Sequence, residues 1–97
     1  MDPRSHRWRD TVEAVITALN ELDPYGLDPG TVDGAPHDEY EPEARPMASL
    51  LLTRGSISRA QIDAIWQDWF HEPLSDVISP DETQRFCTKL NSLHPPA

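Results

Sequence analysis

The chain has 97 residues, a formal net charge of −9 and a pI near 4.6, which suits one small domain and leaves little room for a large core around an enclosed substrate cleft. So acidic a chain is repelled by nucleic-acid backbones and anionic membrane surfaces, and a basic protein is the partner its charge favours. Hydrophobic residues make up 37% and include three Trp, two Tyr and two Phe, enough bulk for a folded centre, while no apolar run approaches the roughly 20 residues that span a bilayer.

The first predicted element is a helix from Pro3 or Ser5 to Leu22. Trp8, Val12, Val15, Ile16, Leu19 and Leu22 recur at helical spacing and make one apolar stripe. Arg4, His6, Arg7 and Arg9 crowd its start, where the helix dipole gives positive charge no benefit. They read as solvated groups or as partners of the acidic loop that follows, rather than as a phosphate site. No hydrophobic signal core follows this Arg-rich start, and the lone Cys87 excludes an internal disulfide framework and fits a reducing compartment. The expected location is the cytoplasm.

Asp23-Pro24 stops the helix, because proline disfavours helical geometry in the residue before it. Residues 22–43 are then too rich in Pro, Gly and Asp for a helix or strand, yet carry Tyr25, Leu27 and Tyr40 as apolar anchors. They read as a long ordered loop. Between Asp10 and Ala44 there are ten acidic residues and no Lys or Arg, so its surface is expected to be strongly negative.

A second helix is expected to begin near Asp38, with Asp38 as its cap and Glu39, Glu41 and Glu43 suiting its positive end. Pro46 implies either a kink or a short turn over 38–43 followed by a main helix from Ala44 or Pro46 to Arg54, with Gly55 as left-handed cap. Tyr40, Ala44, Met47, Leu50 and Leu51 form its inner stripe. The third helix carries three agreeing start signals: Ser58 and Gln61 at the positions of a capping box, and Ile57 and Ile62 at those of a hydrophobic staple. Its stripe of Ile62, Ile65, Trp66, Trp69 and Phe70 is the expected main wall of the core, ended by Pro73. Ser79, Pro80 and Glu82 mark a last helix whose inner face is Thr83, Phe86, Leu90 and Leu93, stopped by Pro95-Pro96. No alternating strand remains, so the predicted fold is all-α: a compact four-helix domain near 5–22, 44–54, 59–72 and 80–93, spanning residues 1–97.

Several residues invite chemistry. Asp23, Asp28, Asp33, Asp38 and Glu39 could supply oxygens to calcium, and a loop counted from Asp28 puts Glu39 at position twelve. Gly30 and Val32 then occupy positions that need side-chain oxygens, and Asp33 the place of the turn glycine, so no metal or other cofactor is expected. His37 beside Asp38 and Glu39 is read as an exposed group rather than a base. Cys87, in mid-helix, lacks the cation or helix start that lowers a thiol pKa, and is read as packing. Trp66 and Trp69 both fall on the core stripe. No nucleophile elbow or phosphate loop is present, and the chain is not expected to be an enzyme.

Taken together, Leu22-Asp23-Pro24-Tyr25-Gly26-Leu27, Asp38-Glu39-Tyr40-Glu41, Pro46 and the 62–70 and 80–90 helices resemble the YugE-like family of small bacterial proteins. The resemblance implies an all-helical domain without assigned chemistry, in which Pro24, Gly26 and Tyr40 belong to a structural signature with Asp23, Asp38 and Glu39; related short sequences look like candidate immunity proteins encoded near toxins. Here Leu22 stands where Trp is often found, and the loop is longer. The functional expectation is a non-catalytic protein-binding domain, immunity or antitoxin-like, with Asp23, Asp28, Asp33, Asp38, Glu39 and Glu41 facing a basic partner. A small metal-dependent or enzymatic accessory domain is the alternative.

Overall fold

The computed structural model describes residues 3–27, 30, 32, 34 and 36–93, and side chains from residue 6 onward among them. Five helices run α1 (Pro3–Leu22), α2 (Glu41–Arg54), α3 (Arg59–Phe70), α4 (Leu74–Val77) and α5 (Pro80–Ser92), and the described residues contain no strand. Four of the five are long and one is a single turn, so the expected count of four misses α4. Its cause is not local: Asp63 on α3 accepts from the backbone N–H of Ser75 at 2.9 Å and from its hydroxyl, while Leu74 is fully buried. One carboxylate twelve residues upstream holds the turn in place. The expected Pro95–Pro96 stop lies outside the described residues.

The stripe of α1 packs along α2, and α5 closes the bundle against α1, α3 and α4. Val15, Leu19, Ala44, Met47, Ala48, Leu51, Ile62, Trp66, Leu74 and Leu90 are completely buried. The radius of gyration of 13.1 Å is close to the roughly 13 Å of a folded chain of about 100 residues. No helix among the described residues is long and apolar enough to cross a membrane.

Helix ends follow local chemistry where local chemistry is strong. Ser58 Oγ accepts from Gln61 N–H at 3.1 Å and Gln61 Oε1 accepts from Ser58 N–H at 2.9 Å, while Ile57 and Ile62 are both buried; the box and staple therefore fix the start of α3. Ser79 Oγ caps α5 through Glu82 N–H at 3.1 Å, without a return bond from the Glu82 side chain. Gly55 ends α2 at φ 78, donating to Leu51 O. The link before α3 is also held from α5: the Asn91 amide accepts from Ile57 N–H at 2.8 Å and donates to Ile57 O at 2.9 Å, and the Cys87 thiol donates to the same oxygen at 3.3 Å. Burial pushes that thiol's pKa up, which suits a packing residue rather than a nucleophile.

Three expected core members differ. Leu50 is half-buried and Trp8 packs on the core from its edge, whereas Trp69 is 52% exposed. Trp66→Ala is expected to cost roughly 3–5 kcal/mol, and Trp69→Ala only about 1 kcal/mol, for the half of its ring that is covered. Urea unfolding of the two variants checks this, and equal losses would place Trp69 in the core.

Candidate functional site

The chain leaves α1 through Asp23, which takes the left-handed position (φ 44) that glycine usually fills, its N–H on Leu19 O at 2.8 Å. A short polar side chain tolerates this backbone best, and here it also has work to do. Asp23 Oδ1 accepts from Leu27 N–H at 2.8 Å and from the Tyr40 hydroxyl at 3.0 Å. That hydroxyl in turn accepts from Tyr25 N–H at 3.3 Å, and Gly26, at φ 64, closes the turn after Pro24 by donating to Asp23 O at 3.1 Å. Tyr40 is buried. Burial pushes its phenol far above the ordinary value, with Asp23 adding to the shift and Tyr25 N–H opposing it, so the hydroxyl stays a donor.

Tyr25 extends the network to α3. Its hydroxyl accepts from Trp66 Nε1–H at 3.0 Å and donates to Glu72 Oε1 at 3.2 Å. Its ring stacks on Trp66 at 6.0 Å and meets the edge of Phe70 at 5.1 Å, and Tyr40 lies 6.2 Å from Trp66 on the inner side. The buried Trp66 N–H therefore has a partner, as burial requires.

Asp38 is not the cap of α2. The residue before the helix is Tyr40, without a side-chain cap bond, and Asp38 contributes only its backbone oxygen, to Glu41 N–H at 3.0 Å. The reason is steric as much as chemical: Pro42 fits the first helical turn, where a missing N–H is harmless, and with Tyr40 turned inward at the N-cap position Asp38 stands two residues too early to cap. Pro46 is accommodated inside α2.

The six acidic residues singled out in the sequence separate accordingly. Asp23 is turned into the fold, Asp38 and Glu39 are exposed, and Glu41 lies at the edge of a groove. Asp28 and Asp33 lie outside the described residues. His37 faces α1, with Nε2 2.8 Å from Glu13 Oε1 and Nδ1 3.3 Å from the Asn20 amide nitrogen, so both ring nitrogens tether the turn and neither meets a hydroxyl or thiol. No group of three or more metal-ligating side chains gathers among the described residues.

The groove, about 560 Å³, lies between the first turns of α2 and the last turns of α3. Pro42, Pro46, Ile65 and Trp69 give it an apolar lining, and Glu41, Asp68 and Arg45 its charges. Arg45 is bonded to Glu41, one helical turn earlier, at 3.2 Å. Sequence reasoning missed this place because periodicity says which way Trp69 points, not whether the helix opposite touches it. A second groove, between α1 and α5, is lined by Ala18, Leu22 and Phe86 with Glu21, Glu82, Arg85 and Lys89, and Lys89 pairs with Glu21 across it. Its charges balance.

No family model, curated protein or solved structure matches the chain, and the site is read from its own geometry.

On α2, Glu43 is buried and its Oε2 has no hydrogen-bond partner. Burial raises its pKa above the ordinary 4.5, Glu39 adds to the rise, and its own backbone N–H opposes it. The folded chain thus holds this proton more tightly than the unfolded chain, and the stability so gained is present below pH 4.5 and lost as pH climbs through the raised value. Glu43→Gln keeps the neutral form throughout. Its unfolding free energy is expected to run parallel to wild type below about pH 4 and to gain on it at higher pH; a constant offset in urea titrations would show that Glu43 titrates alike in both states.

Proposed function

We propose that the chain is a non-catalytic protein-binding domain of the immunity or antitoxin kind, akin to the YugE-like proteins and acting in the cytoplasm, whose acidic face covers a basic surface on its partner. In this reading the segment between α1 and α2 is an ordered acidic loop whose base Asp23 holds, and Asp28 and Asp33 act with Asp38, Glu39 and Glu41 against the partner. The observation that carries the reading is the meeting of exposed carboxylates with an exposed tryptophan where α2 and α3 adjoin: Glu41 and Asp68 share one groove with Trp69. A charged surface with an aromatic at its centre is suited to binding, because the charges steer encounter and the aromatic supplies buried area.

Support also comes from what the face leaves unpaired. Asp38 and Glu39 are exposed, and the basic side chains that meet carboxylates among the described residues, His37, Arg45 and Lys89, are engaged by Glu13, Glu41 and Glu21. Self-repulsion among these carboxylates is relieved when a basic surface arrives.

The test is co-expression with the product of the neighbouring gene, followed by size-exclusion chromatography and association kinetics. A complex is expected whose on-rate falls as salt screens charge beyond about 10 Å at 0.1 M, and which charge reversal of Asp38, Glu39 and Glu41 weakens at least about tenfold. A complex indifferent to both changes would remove the acidic face from the interface.

A further inference from the structure

We propose that the groove between α2 and α3 seats one arginine side chain of that basic partner, its guanidinium stacked on the exposed face of Trp69 and its N–H edge turned to Asp68 and Glu41. This deepens the preceding reading and rests on it.

The lining selects its occupant by elimination. Pro42, Pro46, Ile65 and half-exposed Trp69 offer apolar surface that a purely ionic ligand would leave unsatisfied. Glu41 and Asp68 would repel an anion and would be stripped of water without compensation by a neutral apolar group. A cation carried on an aliphatic stem answers both demands, since the stem covers the prolines while the charged head reaches the carboxylates. Arginine meets them better than lysine. Its guanidinium is weakly hydrated, lies flat on an aromatic ring, and keeps its donors in the ring-parallel plane for carboxylates at the side.

Arg45 bears on the same point. It lines the groove, but its guanidinium bonds Glu41 Oε1 on its own helix at 3.2 Å, and both partners are substantially solvated. Such an exposed pair separated by one helical turn is weak. It screens one of the two carboxylates and gives way to a better-placed guanidinium. Removing Arg45 is therefore expected to improve the site, an effect opposite to that of removing a structural ion pair.

The experiment uses the whole ¹⁵N-labelled chain and follows its indole N–H signals, with that of Trp69 assigned by its loss in Trp69→Phe. The probe is N-acetyl-arginine amide, with the lysine and citrulline amides as controls. A saturable shift of the Trp69 signal is expected with the arginine probe, about two- to fivefold weaker binding with lysine, and no saturation with citrulline, which keeps the shape and lacks the charge. Asp68→Asn is expected to weaken the arginine probe by a similar factor, and Arg45→Ala to strengthen it. A Trp69 signal that ignores arginine, or responds equally to citrulline, overturns the assignment, as does one that moves on dilution alone, which would show a second copy of the chain in the groove. If the partner complex forms and depends on charge but is unmoved by Trp69→Ala, the arginine seat falls while the acidic-face reading stands; if charge reversal does not affect the complex, the broader reading falls first.

Discussion

A tyrosine hydroxyl taken out of water must be given partners, and the Tyr40 hydroxyl receives both of its own from the far end of the loop. It donates to Asp23 at 3.0 Å and accepts from Tyr25 N–H at 3.3 Å. These bonds bring the end of α1 to the start of α2, so the residues between them form an excursion whose two ends are fixed. Tyr25 is then placed over Trp66, Trp66 finds a partner for its indole N–H, and α3 is oriented by the same cluster. The groove is a consequence: with Tyr40 inward and Trp66 covered, the next turn of α3 carries Trp69 past the cluster to where α2 presents Pro42 and Pro46 with Glu41 and Arg45.

What was legible in the sequence was local. The box and staple around Ser58 lie within six residues, and the stripe of α1 repeats over about four turns, so both elements are written in their own residues. What was not legible depended on residues far apart. The turn α4 is capped by Asp63 across twelve positions. Asp38 looks like a cap and Asp23 like a surface carboxylate, and their roles differ because the burial of Tyr40 demands an acceptor, which Asp23, set in the left-handed position, presents.

Charged residues near α2 show the same limit. Glu39, Glu41 and Glu43 are alike in sequence, all suited to a positive helix start, yet one is exposed, one rims the groove and one is buried with an unpartnered oxygen. Spacing along a helix decides the face, and only the packing around that face decides the medium. On the proposed reading the distinction is useful to the molecule. Carboxylates that stay in water give long-range attraction to a basic partner, whereas the apolar groove with its tryptophan gives the short-range contact that attraction alone does not supply.

A loop closed by the bond between Asp23 and Tyr40 requires that the two residues act as one unit. A double-mutant cycle of Asp23→Ala and Tyr40→Phe, followed by denaturant unfolding, tests it most directly. Each single change is expected to be destabilising, and the second to add much less once the first is made, a coupling of about 1 kcal/mol or more. Costs that simply add, within about 0.5 kcal/mol, would show that the two residues are independent and that something else closes the loop.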